Sequence, residues 1–310
     1  MATLRIATRG SDLALAQARY VAARIERELS ASTELVIVQT TGDRIQDVSL
    51  AKIGGKGLFI KEVEETLLDG RADVAVHSAK DLPAVLAAGL VLAAFPERAD
   101  PRDALVARGA GVTLESLRSG ARIGTGSTRR AALLLARRPD LEIVPLRGNV
   151  PTRLSRLEDE ALDAVILACA GLDRLGFGHV VSERIAPEWL LPAVCQGTLA
   201  LQARAGDGLA ADLARLDQRE VAIATRAERS FLEQIGGDCT IPLAGHCEMA
   251  GGDRIFMRVL LASADGRKIA RAEGGGRTGD ATELGAMLAR DVLQAGGSGI
   301  LEGLRAENAS

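Results

Sequence analysis

Three segments in the first half of the chain share one order of features. Each has an apolar run typical of a β-strand, a loop of small residues that carries arginine, and a pattern typical of a helix; they are residues 4–11, 121–130 and 143–149. A strand that enters a helix through Gly, Ser and Thr leaves backbone N–H groups at the positive end of the helix dipole. Arginine adds a planar fork that binds carboxylate or phosphate through two hydrogen bonds. The sequence therefore predicts α/β units that bind a ligand with many negative charges.

The alternation of short apolar runs and helical patterns extends over the first two-thirds of the chain and predicts largely parallel sheets. The predicted strands are 4–8, 34–40, 73–77, 90–95, 103–107, 121–125, 141–146 and 163–168. The predicted helices are 12–29, 57–69, 127–138 and 150–158. Because ligands of parallel sheets lie at the carboxyl ends of the strands, the arginine loops are expected to line a binding site.

The last third of the chain has a pattern typical of a small α+β domain. Its predicted helices are 218–235, 280–295 and 299–306, and its predicted strands are 254–263 and 268–273. Asp265-Gly266, between the two strands, is typical of a hairpin turn.

Similar layouts in residues 6–18 and 123–135 favour two similarly built α/β domains that face a shared cleft, with boundaries near 96–102 and 190–197. The expected fold class is α/β, with a small α+β C-terminal domain. The expected limits are 1–97 and 197–216 for domain 1, 98–196 for domain 2, and 217–310 for domain 3.

The composition, with 47% hydrophobic and 25% charged residues, is that of a soluble globular protein. Aromatic residues make up 2% and the net charge is -3, which disfavours a nucleic-acid partner. No apolar run reaches the length of a membrane span, and the first residues form an amphipathic strand pattern rather than a signal peptide. The four cysteines form no CxxC pair, so we expect reduced thiols and a cytoplasmic protein.

Asp81 follows the apolar strand pattern of residues 73–77 after a few residues and precedes Pro83. A carboxylate at the mouth of a parallel strand can hold an N–H donor or stabilise a developing cation. The alternative is a helix-capping aspartate paired with Lys80.

Cys239 lies in a glycine-rich loop after the predicted helix 218–235. A loop thiol is freer to react than a core thiol, but it needs nearby positive charge to be nucleophilic; the alternative is an ordinary small residue in a turn. Cys169 and Cys195 lie in apolar runs and are expected in the core. Cys239 with His246 and Cys247 matches no ordinary zinc spacing, so no metal site is expected.

Residues 41–57 are polar, rich in Gly and Lys, and without clear periodicity, which suggests a mobile lid. Gly57 follows Gly55-Lys56, so this segment is no phosphate-binding P-loop. The chain also has no dinucleotide-binding GxGxxG after a strand and no GxSxG elbow.

A series of motifs follows in order along nearly the whole chain: Ile6-Ala7-Thr8-Arg9, Gly54-Gly55-Lys56-Gly57-Leu58-Phe59, Val76-His77-Ser78-Ala79-Lys80-Asp81-Leu82-Pro83, Ile123-Gly124-Thr125, Leu146-Arg147-Gly148-Asn149-Val150, Leu191-Pro192-Ala193-Val194, and Cys239 with Pro242. Together they resemble the porphobilinogen deaminase (hydroxymethylbilane synthase) family. The resemblance implies two α/β domains arranged as in periplasmic binding proteins, plus the third domain. It also implies a transferase of tetrapyrrole (heme) biosynthesis that hands its product to uroporphyrinogen-III synthase. The sequence shows no long heptad pattern and no obvious apolar strip, so we expect a monomer.

The resemblance further implies that a dipyrromethane cofactor is attached to Cys239 through a thioether. Four porphobilinogen molecules would be added to it with loss of ammonia, and hydrolysis would release hydroxymethylbilane. Asp81 would stabilise the positive charge shared onto the pyrrole nitrogen when ammonia leaves. The arginines that would bind acetate and propionate groups are Arg9, Arg129, Arg130, Arg147, Arg153 and Arg174. The other residues expected in the cofactor and substrate site are Ser11, Gln17, Lys56, Ser78, Lys80, Thr125, Ser127, Thr128, Gly148 and Gln196.

Three residues depart from the family pattern. Pro151 and Cys195 stand where glycine is common, and Asp238 is an extra residue before Cys239. Proline is tolerated in the first turn of a helix, whereas a negative charge beside Cys239 would disfavour the thiolate. Two alternatives stay open: a two-lobed protein that binds an anion without chemistry, and an inactive scaffold of the same fold. Turnover of porphobilinogen would separate the enzyme from both.

Overall fold

The computed structural model of the chain describes residues 3–41, 60–109, 111–236 and 241–309. The strands in chain order are β1 (Leu4–Arg9), β2 (Thr33–Val38), β3 (Val74–Ser78), β4 (Leu90–Ala94), β5 (Asp103–Ala107), β6 (Arg122–Thr125), β7 (Glu142–Pro145), β8 (Ala164–Ala168), β9 (Glu183–Ile185), β10 (Leu199–Arg204), β11 (Leu243–Met249), β12 (Arg254–Ala262) and β13 (Ile269–Arg277). The α-helices are α1 (Asp12–Leu29), α2 (Lys61–Leu68), α3 (Thr128–Arg137), α4 (Val150–Asp159), α5 (Cys169–Arg174), α6 (Gly208–Leu213), α7 (Arg219–Ile235), α8 (Ala281–Val292) and α9 (Ser298–Ala309).

Two five-stranded sheets share one design. The first has the order β2-β1-β3-β10-β4 and the second has the order β7-β6-β8-β5-β9. The first three strands of each order are parallel. The fourth strand, β10 or β5, is antiparallel to both of its neighbours. The predicted pair of similar α/β units is therefore confirmed, and the sheets are mixed rather than wholly parallel.

The antiparallel strands arise where the chain passes between the two sheets. Residues 95–102 lead from the first sheet into β5, and residues 190–198 lead back into β10; we call these the crossing segments. They run side by side, with a bridge between Arg98 and Thr198. Gly197 has a φ of +87° and a Cβ there would overlap the Ala99 carbonyl oxygen. Only glycine fits this close approach of the two backbones.

The third sheet is an antiparallel meander, β11-β12-β13. Gly266, in the turn between β12 and β13, has a φ of +71°, which confirms the predicted hairpin. Helices α7 and α8 cover the sheet, and Phe231 and Leu288 are fully buried in this core. A Cβ at Gly285 on α8 would overlap the Ala227 carbonyl oxygen on α7, so the helices pack closely. The predicted α+β unit is confirmed.

The sequence pattern does not indicate β9, β10 and β11 or the short helices α5 and α6. The β10 residues lie where the chain returns to the first sheet, a region that the sequence pattern marked as a boundary. Strand β11 contains Gly245, His246 and Glu248, which interrupt its apolar pattern. The predicted core positions of Cys169 and Cys195 are confirmed, since both are buried. No helix in the described ranges is long and apolar enough to cross a membrane.

Candidate active site

Asp81 lies at the carboxyl edge of the first sheet. Strand β3 ends at Ser78, and one turn of 3₁₀-helix, Ala79–Asp81, follows it directly. The Ala79 N–H donates to the Thr198 carbonyl at 2.9 Å, and the Leu82 N–H closes the turn on the Ala79 carbonyl at 3.3 Å. Ala79 and Leu82 are buried, whereas Asp81 is exposed. The turn therefore presents a carboxylate to solvent between two buried apolar side chains.

Lys80, on the same turn, interacts electrostatically with residues of the second sheet. Burial lowers the pKa of Lys80 to about 8, and the negative charge of Asp81 opposes the shift. The charges of Arg130, Asp103 and Arg129 also act on Lys80. Lys80, at the edge of the first sheet, thus lies within the field of three charged groups that belong to β5 and the helix after β6.

Asp103, the first residue of β5, pairs with two arginines in the first turn of α3. Its carboxylate lies 2.7 Å from the Arg130 guanidinium and 2.8 Å from the Arg129 guanidinium, and all three side chains are buried. Burial alone would raise the pKa of Asp103, but the two guanidiniums hold this pKa well below its usual range. Gln196, in a crossing segment, donates to the same carboxylate at 2.9 Å.

The two arginines are therefore fixed before any ligand binds. Arg129 donates to the Leu191 carbonyl at 2.7 Å, and Arg130 donates to the Ile166 carbonyl at 3.1 Å. Each guanidinium has five N–H donors. Both arginines can thus keep these partners and the Asp103 ion pair while further donors bind a ligand carboxylate.

Arg147, Gly148 and Arg153 lie where β7 passes into α4. Asn149 caps the helix by accepting the Thr152 N–H at 2.9 Å. Gly148 has a φ of +106°, a conformation that favours glycine. Its carbonyl accepts a 2.7 Å hydrogen bond from Arg153 Nε. Proline is also placed in the first turn of α4, as the sequence analysis expected for residue 151.

Arg153 interacts electrostatically with charged side chains that lie near both five-stranded sheets. Burial, together with the positive charges of Arg130 and Arg147, lowers the pKa of Arg153 to about 10, and Asp81 opposes the shift. The side chains connected in this way are Lys80, Asp81, Asp103, Arg129, Arg130, Arg147 and Arg153; we call them the cleft cluster. Five cations against two carboxylates leave an excess of positive charge, which suits a ligand with several carboxylates.

Four of the predicted polar residues also order the ends of these elements. Ser11 caps α1, and Ser127 caps α3 by accepting the Arg130 N–H at 3.4 Å. Gln17 Nε2 donates to the Ser78 Oγ at 2.9 Å and so joins α1 to the strand before Asp81. These contacts preorganise the site without using all the hydrogen-bonding capacity of the side chains.

Four further predicted residues lie near these segments. Thr125 Oγ1 accepts the Ser127 N–H at 3.2 Å, and Thr128 is exposed at the start of α3. Arg9 is the last residue of β1 and is partly exposed. Arg174 binds the crossing segments, with 2.8 Å to the Gly197 carbonyl and 3.5 Å to the Glu97 carboxylate. No described interaction joins Arg174 to the cleft cluster.

Lys56, Asp238 and Cys239 lie outside the described residues, as does the suggested lid apart from its first residue. Helix α7 ends at Ile235 with Gly236 as a left-handed C-cap. Cys239 therefore follows the end of α7 by four residues in the sequence. In the described ranges no group of three or more His, Cys, Asp or Glu side chains could hold a metal ion.

Asp103 belongs to the site but is not among the residues that the sequence predicts there. The sequence does contain a signal for it: an aspartate at the start of an apolar strand needs a partner for its charge when that strand is buried. The partner could not be predicted, since β5 and α3 are separated by about twenty residues in sequence.

The fold and the cluster define a class of protein: two α/β lobes of the same sheet order, linked by two crossing segments, with a cluster of five cations and two carboxylates that draws on both lobes. Comparison with known proteins gives the family. Residues 4–212 match the family model described as "Porphobilinogen deaminase, dipyromethane cofactor binding domain". Residues 222–294 match the "Porphobilinogen deaminase, C-terminal domain".

Full-length relatives agree with these matches. The porphobilinogen deaminase of Syntrophus aciditrophicus is 48% identical over 303 residues, which are 97% of this chain and 98% of the relative. That of Nitratidesulfovibrio vulgaris is 47% identical over 314 residues, with 100% and 99% of the two chains covered. The chain belongs to the porphobilinogen deaminase family. Among solved structures, the periplasmic VFT2 domain of Bordetella pertussis BvgS matches with a TM-score of 0.42 and 15% identity, over 74% of this chain and 92% of that one.

Proposed function

We propose that this chain polymerises four porphobilinogen molecules head to tail, with loss of ammonia, on a dipyrromethane primer bound to Cys239. Hydrolysis then releases hydroxymethylbilane for tetrapyrrole biosynthesis. Membership of the porphobilinogen deaminase family supports the activity. The observation that supports the site is the exposed carboxylate of Asp81 among the five cations of the cleft cluster.

The residues present fit a dipyrromethane cofactor. Each of its rings has an acetate and a propionate group, and the lowered pKa of Arg153 reflects burial beside two other arginines. A ligand carboxylate placed there would relieve this repulsion. Charge-assisted hydrogen bonds of this kind contribute about 1.5–3 kcal/mol each. We assign Arg129, Arg130, Arg147 and Arg153 to cofactor and substrate carboxylates, together with Lys80.

The cofactor supplies the pyrrole carbon to which the first substrate is joined. The work of the protein at this step falls to Asp81. Loss of ammonia from the aminomethyl group of porphobilinogen places positive charge on the substrate ring, shared with its pyrrole nitrogen. A fixed carboxylate stabilises that charge more than it stabilises the neutral ring, which lowers the barrier.

The remaining predicted residues complete this proposal. The residues that would line the cofactor and substrate site are Arg9, Ser11, Gln17, Lys56, Ser78, Thr125, Ser127, Thr128, Gly148 and Arg174. The buried Gln196 would take part through its hydrogen bond to Asp103. Three domains, with limits at 1–97 and 197–216, 98–196, and 217–310, are supported by the three sheets. We further propose a cytoplasmic monomer that hands its product to uroporphyrinogen-III synthase.

The intact mass of the purified chain, measured beside its Cys239→Ser variant, tests the primer and its attachment point together. The native chain should exceed its sequence mass by two linked pyrrole units, and the variant should show the bare mass. A Cys169→Ser variant is the matched control, because Cys169 is buried, and it should keep the added mass. A native chain that stays at bare mass after incubation with porphobilinogen would overturn the proposal in favour of a binding protein.

A further inference from the structure

The segment after Asp81 is held by a side chain from another part of the fold. Residues 82–89 form no regular element, and Val85 within them is 72% exposed. Arg229, on α7, reaches this segment and donates one Nη2 group to the carbonyls of Pro83 and Ala84, each at 2.9 Å. A helix that covers the third sheet therefore binds the backbone two and three residues after Asp81.

The apolar side chains of the same turn are buried in a core that also contains side chains of α7. Ala79 and Leu82 flank Lys80 and Asp81, and both are buried in the core that contains Phe231 of α7. Pro83 has a fixed φ, which limits how far the backbone can shift between its carbonyl and Leu82. The turn with Asp81 thus shares a buried core with α7, and the segment that follows it is held by the hydrogen bonds of Arg229.

The guanidinium of Arg229 is partly desolvated and incompletely hydrogen-bonded. Burial lowers the pKa of Arg229, and its Nη1 atom is buried without a hydrogen-bond partner among the described residues. Placing a guanidinium there costs desolvation energy. An apolar side chain could fill the same space, but it could not bind two carbonyls.

We infer that Arg229 is a positioning residue for the Asp81 carboxylate. This inference rests on the proposed role of Asp81 and adds a residue of the third-sheet unit to it. Helix α7 continues from Arg229 to Ile235, about 9 Å along its axis at 1.5 Å per residue. Cys239 follows four residues later in the sequence. Helix α7 therefore binds the segment that follows Asp81 and leads, in sequence, to the cysteine proposed to hold the primer.

The test compares Arg229→Met with Arg226→Met in steady-state turnover of porphobilinogen. Arg226 lies one turn earlier on α7 and is exposed, so its variant should match the native chain. Misplacing a catalytic group by about 1 Å can cost 100-fold in rate, and we expect Arg229→Met to lower kcat at least about 10-fold. KM should change less than about 2-fold, because no ligand-binding side chain is removed. Arg229→Lys, which keeps one charged donor, should fall in between.

A double-variant cycle separates positioning of Asp81 from a general structural effect. If Arg229 acts through Asp81, then adding Arg229→Met to Asp81→Asn should leave the residual rate unchanged within about 2-fold. A further loss equal to that of the single variant would contradict the inference. So would a kcat within about 2-fold of native for Arg229→Met. If the native chain and Arg226→Met both lack turnover, the proposed function itself is overturned. That outcome is distinct from a loss of turnover in Arg229→Met alone.

Discussion

The Glu228 carboxylate on α7 lies 2.6 Å from the guanidinium of Arg98 in the first crossing segment. The Glu228 side chain is fully buried. Its two oxygens also accept the backbone N–H of Cys195, in the second crossing segment, at 2.5 Å, and that of Cys247, in β11, at 2.8 Å. One carboxylate thus joins both crossing segments to the third sheet, at the place where the two lobes are connected.

Glu228→Gln should strongly destabilise the chain. The substitution keeps the shape of the side chain but leaves the buried Arg98 charge without compensation, and breaking a buried ion pair costs about 3–5 kcal/mol. Urea unfolding followed by circular dichroism measures the loss. Glu248→Gln is the control, because Glu248 is 48% exposed and pairs at the surface, where such pairs contribute about 0–1 kcal/mol. Equal unfolding midpoints for the two variants would contradict the assigned role.

The stability of the chain should fall between pH 6.5 and pH 4 because of His77. This ring is buried and hydrogen-bonded to Gln202 at 2.9 Å, and burial lowers the pKa of His77 to about 4. The unfolded chain binds the proton first as the pH falls, so the stability present above pH 6.5 is lost on the way to pH 4. The loss from this group is about 3 kcal/mol at pH 4.

His77→Gln removes the titrating ring and keeps an amide that can bind Gln202. The free energy of unfolding should therefore depend less on pH in this variant, by up to about 1.4 kcal/mol per pH unit. His179→Gln changes an exposed histidine and should leave the native pH dependence in place. Parallel curves for native and His77→Gln would show that His77 is not the group responsible.

Lys80 should titrate differently with and without the primer. Burial lowers the pKa of Lys80 to about 8 in the chain as described, and carboxylates bound nearby would raise this pKa. Competitive acylation against the exposed Lys61 measures the titration, with Cys239→Ser as the chain that has no primer. The pKa of Lys80 should be near 8 in Cys239→Ser and higher in the native chain. The same pKa in both would place Lys80 away from the primer.

Much of the fold was predictable because the period of the apolar residues is local. The predicted helices 12–29 and 127–138 match α1 and α3, and Asp265-Gly266 marked the hairpin of the third sheet. Strand β10 was not predictable, since its pairing with β3 and β4 joins residues more than 100 positions apart. The strands that pair with β10 lie next to it only once the chain has folded.

The candidate site shows the same division. Asp81 and the arginine loops are visible in sequence because each follows a strand within a few residues. The pairing of Arg129 and Arg130 with Asp103 is not visible in the sequence, and neither is the contact of Arg229 with Pro83. Both depend on how separate elements pack. The sequence indicates candidate ligand-binding residues, whereas the structure adds the residues that hold them in place.

Turnover by Asp81→Asn, with the primer already attached, tests the central claim most directly. The substitution keeps the size of the side chain and removes its charge, so we expect an intact mass with the two added pyrrole units and a kcat about 100- to 1,000-fold below native. Asp69→Asn, at the exposed end of α2, should turn over porphobilinogen at the native rate. A loaded Asp81→Asn chain that also turns over at the native rate would contradict the account, because no carboxylate would then be needed at this edge of the sheet.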